Sequence, residues 1–279
     1  MEKPLKILSY FIVLLALTPP LARAEAGRAE RIIALSPHSV EMLYAIGAGD
    51  AILATTDHAD YPEAAKAIPR IGGYYGIQME QVLALKPDLI VTWEGGNRAE
   101  DLEMLKKFGF TLFHSNPRTL EQVGQELIAL GKLTGRETQA QQVADDYLAR
   151  LGALRQEYAA KPKVRLFYQL WSQPLMTVGK GSWIEQIIQT CHGENVFLDT
   201  QGDYPQVSIE TVLLKKPEVI LRSQDEGNIN GIDWQQWPEV PAVAKGHIYA
   251  LDADLLHRAG PRAIDGVQAL CQALDKARQ

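Results

Sequence analysis

Short apolar runs alternate with amphipathic segments along most of this chain. "RIIALS" (31–36), "AILATT" (51–56), "DLIVTW" (88–93) and "FTLFHS" (110–115) are brief and almost continuously apolar, so they read as buried strands. Between them, "SVEMLYAIG", "MEQVLALK" and "AEDLEMLKKFG" carry helical spacing and end at Gly or ahead of Pro. Strand-helix alternation of this kind predicts a mainly parallel sheet covered by helices on both faces. The pattern restarts at "RLFYQL" (165–170): "SWIEQIIQTCHG" and "ETVLLKK" read as helices, and "EVILRS" and "HIYALD" as strands. "PRAIDGVQALCQALDKA" closes the chain as a helix, with Pro261 expected in its first turn.

Between the halves, Ala140, Val143, Ala144, Tyr147, Leu148, Leu151, Leu154 and Tyr158 recur three or four apart. They predict one amphipathic helix from Arg136 to Ala160, roughly 37 Å long at 1.5 Å per residue. A flexible linker would instead be rich in Gly, Ser or Pro. The expected fold is therefore α/β: two Rossmann-like lobes, residues 25–133 and 161–279, joined by one long rigid helix over 134–160. Lobes braced in this way rock only slightly about their cleft.

One unit occurs twice. "QVLALKPDLIVTW" (81–93) returns as "TVLLKKPEVILRS" (211–223), and Glu80 and Glu210 precede the two copies at the same offset. Each copy is a helix that stops at Lys-Pro and feeds a strand. Each glutamate falls in a first turn, where the helix dipole favours a negative charge by about 0.3–1 kcal/mol. Ser208 is positioned as the N-cap of the second copy. Dipole pairing alone accounts for both carboxylates. Their symmetry points further, to a paired partner that meets both.

Composition narrows the classes. Lys3 and Lys6 precede "ILSYFIVLLALTPPL", and "ARA" (22–24) places small residues at −3 and −1, which is the pattern of a secretory signal cleaved after Ala24. The apolar run is short of the roughly 20 residues a membrane span needs. No cysteine adjoins the cleavage site to carry lipid. Removing Glu2, Lys3, Lys6 and Arg23 takes the net charge from −6 to −8, which argues against nucleic acid or an anionic membrane as partner. Cys191 and Cys271 are the only cysteines, and an even count in an exported chain favours one disulfide over two buried thiols.

Aromatic residues stand where predicted strands end: Tyr61 in "HADYPE", Tyr74 and Tyr75 in "GGYYG", Trp93, Trp171, and Tyr204 in "GDYPQ". Ligands of open α/β sheets bind beyond the carboxyl ends of the strands. Singly, such residues serve more often as packing than as a ligand wall. Gly95 and Gly96 would let backbone approach a large ligand closely. Asp254 and Arg258 are spaced as an i,i+4 ion pair.

The two-lobed plan, "WEGGN" (93–97), "YPQVS" before Glu210 and "LHRAGPR" resemble the periplasmic cobalamin-binding proteins of ABC importers, which have the class III, helical-backbone fold. The resemblance spans about Arg31 to Leu274. It implies a periplasmic protein, monomeric when free, that binds vitamin B12 as transported ligand rather than cofactor. It also implies that Glu80 and Glu210 dock on arginines of a dimeric permease in the inner membrane. The implied ligand-binding set is Tyr61, Tyr74, Trp93, Gly95, Gly96, Leu170, Trp171, Met176, Tyr204, Asp254 and Arg258. Family members carry tryptophan where this chain has Tyr74 and Tyr204, phenylalanine at Leu170 and Met176, and a small residue at Trp171, so the cleft is expected to be aromatic but reshaped.

Competing readings rest on less. A haem binder would use Tyr74, Tyr75 or His58 as axial ligand, and a siderophore binder would need several cleft arginines. The six histidines lack metal-ligand spacing, so no metal site is expected, and most are expected at surfaces or caps. An exported hydrolase could draw only on Ser36 and His38, whose side chains would face opposite sides of an extended segment. No nucleophile elbow or dinucleotide fingerprint accompanies them, and no catalytic residue is assigned.

Overall fold

The computed structural model describes residues 28–224 and 231–279, so the predicted signal at 1–24 lies outside the described residues. The first half runs β1 (Ile32–Ala34), α1 (Pro37–Ala45), β2 (Ile52–Thr55), the short hairpin β3 (Gly72–Gly73) and β4 (Gly76–Ile77), then α2 (Met79–Leu85). It continues with β5 (Leu89–Trp93), α3 (Ala99–Lys107) and β6 (Leu112–Ser115). Two long helices follow, α4 (Leu120–Thr134) and α5 (Glu137–Tyr158). The second half runs β7 (Val164–Gln169), the hairpin β8 (Trp171–Ser172) and β9 (Leu175–Met176), α6 (Trp183–Thr190), β10 (Gly193–Asn195) and α7 (Ile209–Lys215). It ends with β11 (Val219–Gln224), α8 (Pro241–Ala244), β12 (Ile248–Asp252), α9 (Ala253–His257) and α10 (Ala263–Arg278).

Among the described residues, two four-stranded sheets form, ordered β2-β1-β5-β6 and β10-β7-β11-β12, and every pairing within them is parallel. In chain order each half is therefore wound 2-1-3-4. The central strands are buried on both faces, which is why their sequences read as apolar runs rather than alternations.

The duplication goes deeper than the repeated unit. Both α2 and α7 end on a lysine in the left-handed conformation, Lys86 and Lys216, each at φ 46°. The following proline disfavours the helical conformation at that lysine, so the chain turns there. Arg31, just before β1, donates to the Lys86 carbonyl at 3.2 Å, and its N–H is accepted by Asp88 at 3.1 Å. Arg165, in β7, donates to the Lys215 carbonyl at 2.8 Å, and its N–H is accepted by Glu218 at 2.9 Å. In each half an arginine near the start of the first strand ties down the end of the helix that precedes the third. Both helices thus run back along their sheets, which brings Glu80 and Glu210 to the carboxyl edges of the strands.

The connecting helix α5 packs against a second long helix, α4. A capping box at Thr119 and Gln122 opens α4, and Gly135 at φ 63° ends it. A Cβ at Gly131 would sit 2.3 Å from that of Ala140, so glycine permits the close antiparallel approach of α5. The 22 residues of α5 span roughly 33 Å. Arg150 reaches Asp265 of α10 at 2.6 Å, while Tyr158 and Lys161 share Asp275 at 3.0 and 2.6 Å. One apolar cluster runs from Ile32 and Val91 through Leu127, Ala144 and Leu151 to Leu166 and Leu274. A continuous core between the halves leaves little freedom to separate. Cys191 and Cys271, both fully buried, form a disulfide that ties the end of α6 to α10.

Pro261 does not enter α10. The Gly260 carbonyl accepts the Ala263 N–H at 3.0 Å, closing a turn that places the proline ahead of the helix.

Candidate functional site

The exposed tyrosines and tryptophans among the described residues lie at or beyond the carboxyl end of a sheet strand: Tyr61, Tyr74, Tyr75, Trp93, Trp171 and Tyr204. The remaining tyrosines and tryptophans among the described residues are at least partly buried. Exposed tyrosine and tryptophan rings gathered at one edge of the sheets suit a flat apolar ligand, while the exposed Phe108 lies at the other edge, just after α3.

Trp93 is the last residue of β5, and the W-E-G-G-N segment is built around it. Its N–H donates to Asn97 Oδ1 at 2.7 Å, and Asn97 Nδ2 donates in turn to the Leu35 carbonyl at 2.9 Å. The indole lies on Gly96, where a Cβ would come within 2.0 Å of ring carbon Cε3. Gly95 is looser, with its Cβ position 3.2 Å from the indole Nε1. The bare backbone at Gly96 is therefore filled by the protein's own tryptophan rather than left open for close approach by a ligand.

His38 meets Trp93 edge-on, with ring centroids 5.4 Å apart and planes at 82°. Its Nε2 is 2.9 Å from Ser115 Oγ, and Ser115 donates to Glu126 at 2.5 Å. Burial, and after it the charge of Arg258, push the His38 imidazole down to about 4, so it is neutral near pH 7. Ser36 Oγ lies 3.4 Å from the same Nε2, contrary to the expectation that the two side chains diverge. The strand has already ended there, and Ser36 caps α1, accepting from the Ser39 N–H at 3.3 Å. Ser36 is fully buried, away from any substrate. His38 is likewise a core residue rather than a surface one.

The two halves meet at an ionic node. Arg258 reaches Asp60 at 2.7 Å, Asp254 at 2.8 Å and Glu41 at 3.2 Å. Arg262 grips Glu41 with two N–H groups, Nη2 at 2.6 Å and Nε at 2.9 Å, and its guanidinium stacks 3.8 Å over the Tyr61 ring. Burial alone would raise the Asp60 carboxyl, but hydrogen bonding and the charge of Arg258 hold it below the usual range. Asp254 is pushed up, by burial first and by Asp60 and Asp252 after it, with Arg258 offsetting part of the effect. The expected Asp254–Arg258 pair forms, but Arg258 also carries partners from the other half and is only 12% exposed in its side chain. Asp254, at 45%, has more capacity to meet a ligand.

On the second half, Trp171 pairs with Met176 across the β8–β9 hairpin, and Leu170 N–H donates to the Met176 carbonyl at 2.9 Å. Thr177 N–H donates to the Pro205 carbonyl at 3.0 Å, which lays the Tyr204 segment beside that hairpin. These contacts gather the predicted residues into two groups: Tyr61, Asp254 and Arg258 at the node with Trp93 beside it through His38, and Leu170, Trp171, Met176 and Tyr204 around the second hairpin. Tyr74 stands at the tip of the β3–β4 turn, 84% exposed, with its ring against Tyr75. Hydrogen bonding to Asp57 raises the Tyr75 phenol. Glu210 is held below the usual range by the backbone amides of its helix start and then by Ser208, which caps α7.

Glu41, Asp60, Arg262 and His38 were not among the predicted site residues. Glu41 did carry a signal, since a carboxylate inside the apolar stretch "SVEMLY" must find a cation when buried. Among the described residues, no group of three or more His, Cys, Asp or Glu side chains is placed to hold a metal ion.

Residues 32–255 match the family described as periplasmic binding protein. The chain is 39% identical over 266 residues to a vitamin B12-binding protein of Vibrio cholerae, covering 95% of this chain and 96% of that one. To the vitamin B12-binding protein of Vibrio vulnificus it is 40% identical over 249 residues, covering 89% and 91%. It is similar to the crystal structure of the periplasmic vitamin B12-binding protein of Vibrio cholerae, with a TM-score of 0.84, 39% identity, and 90% and 98% covered. A periplasmic haem-binding protein from a Roseiflexus species shares the fold, with a TM-score of 0.80 at 24% identity over 91% and 100% of the chains.

Proposed function

This chain belongs to the periplasmic binding protein family, and we propose that it captures cobalamin between its two lobes and delivers it to an ABC importer of the inner membrane. The family consists of substrate-binding proteins rather than enzymes, so the ligand is cargo and leaves chemically unchanged. The observation that carries the ligand is the near full-length similarity to vitamin B12-binding proteins at 39–40% identity. The placement of the exposed tyrosines and tryptophans of the described residues at or beyond the carboxyl ends of the strands supports it. Tyr61, Tyr74, Trp93, Leu170, Trp171, Met176 and Tyr204 would form the walls for the corrin. Gly95 and Gly96 would shape the Trp93 platform, and Asp254 and Arg258 would meet rim amides.

Residues 1–24 are assigned to an export signal, residues 25–133 and 161–279 to the lobes, and 134–160 to the helical connection. The mature protein is a free periplasmic monomer. Glu80 and Glu210 would each meet one half of a dimeric permease, setting orientation and on-rate more than affinity.

Calorimetric titration of the purified protein with cyanocobalamin, beside absorbance titration with haemin, tests the ligand. Saturable one-to-one heat with the corrinoid is expected. No corrinoid heat together with a shifted haem band would reject cobalamin.

A further inference from the structure

Glu41 is an N-lobe carboxylate that pairs with two arginines of the other lobe. It sits on α1, 3% exposed. It accepts from Arg258, 217 positions along the chain, and from Arg262, 221 positions along. The grip of Arg262 on it is two-pronged, which fixes the guanidinium plane as well as its position. That plane backs the ring of Tyr61, again an N-lobe residue. Contacts therefore cross the junction twice: an N-lobe carboxylate sets a C-lobe guanidinium, which supports an N-lobe ring. Arg258 closes the network by holding Asp60 on one lobe and Asp254 on the other. Gly260 keeps the backbone flush, its Cβ position 3.5 Å from Glu41 Oε2 and 3.6 Å from His38 Cβ.

We infer that Glu41 is the positioning residue of the cleft: through Arg258 and Arg262 it locks the spacing of the lobes and presents Tyr61 before any ligand arrives. The effect on affinity rests on the cobalamin reading; the lock itself does not. A buried carboxylate stripped of its cations is strongly disfavoured, so the lobes stay joined at this point. Ordering completed in advance is not charged to binding. Unlocking would leave a set of spacings of which a fraction is competent, and apparent affinity falls by that fraction.

The test uses E41Q, R262M and R262K in the mature protein. Two readouts are taken: cyanocobalamin titration by calorimetry, and pulsed electron-spin distances in ligand-free protein between labels at K107C and K245C. Both label sites are exposed, and the native cysteines are already bridged. The wild type is expected to give one narrow distance. E41Q and R262M should broaden it and weaken binding about tenfold or more, as a competent fraction near one-tenth requires. R262K keeps the charge but loses the fork and the stack, so it should not restore either property. If E41Q fails to fold, the two Arg262 variants carry the test. A wild type that binds, with variants keeping both its affinity and its narrow distance, overturns the inference. Variants that melt earlier yet bind and space normally overturn it too, by showing a merely structural role. A wild type that ignores corrinoids while E41Q still broadens the distance would remove the cobalamin reading and leave the lock standing.

Discussion

Gly96→Ala isolates the platform under Trp93. The added methyl would lie 2.0, 2.2 and 2.5 Å from three carbons of the indole, so the ring must move by more than 1 Å to reach ordinary contact near 3.5 Å. Backbone strain does not contribute, since Gly96 is outside the positive-φ set. The main chain is held by Asn97, and His38 blocks one side of the ring, so the indole is driven toward the cleft. Trp93 is 37% exposed. Taking about 200 Å² for a tryptophan, roughly 75 Å² is available for a ligand to cover. At 25 cal/mol per Å² that contact contributes about 2 kcal/mol, or a ~30-fold change in Kd if it is all lost. Calorimetry with cyanocobalamin would read the affinity, and near-ultraviolet circular dichroism would report the ring. Trp93→Ala marks the floor. If Gly96→Ala binds within twofold of wild type while Trp93→Ala is weak, the steric argument is wrong. If neither loses affinity, Trp93 is no part of the wall.

Gly152 lies exposed within α5 with open space at its Cβ, so Gly152→Ala should raise stability by about 0.5–1 kcal/mol in denaturant melts without altering cobalamin affinity. Reversing both Glu80 and Glu210 to lysine should slow association with the cognate permease in nanodiscs by at least about tenfold at low salt, fading as salt rises, while ligand affinity stays within twofold. Replacing Cys191 and Cys271 by serine removes a closure of 80 residues, with an expected loss of about 4.5 kcal/mol measured by urea unfolding. His38 has its folded value depressed from 6.5 to about 4, so its contribution is complete above pH 6.5 and is lost as pH falls toward 4. That window amounts to about 3 kcal/mol, and unfolding free energies of His38→Gln should be flatter across it than those of wild type.

The strands and most helices were legible because burial on both faces leaves continuous apolar runs, as in β5 and β11, and because amphipathic spacing marks the helices. The connecting helix α5 was legible from its spacing, and the capping box of α4, Thr119 with Gln122, is equally present in the sequence. The β3–β4 and β8–β9 hairpins have strands of two residues, too short for any periodicity to show. At the site, aromatic residues at strand ends stood out from the sequence alone. The ionic node did not. Local spacing yields Asp254 with Arg258, but nothing local connects Glu41 with residues more than 200 positions away. The roles of Gly95 and Gly96 follow from residue type and the W-E-G-G-N motif, and only three dimensions reveal that Trp93 occupies the space above Gly96.

In the proposed reading, capture and docking share an edge of the molecule for a reason rooted in the duplication. In a parallel sheet the helix between two strands must run backwards, so its N-terminus arrives where ligands bind. That N-terminus is also where a carboxylate is favoured by the dipole and by free amides, as the lowered Glu210 shows. Repeating the unit therefore placed two acidic markers, Glu80 and Glu210, beside the same edge as the aromatic walls without any further device. Their separation is fixed by whatever fixes the lobes, and the node of Glu41, Arg258 and Arg262 joins those lobes on the same side. A permease that gripped both glutamates and drew them apart, as proposed, would load that node before the buried core around α4 and α5. Cargo release would then begin where Arg262 backs Tyr61, since the first bonds to yield are those that hold the wall in place.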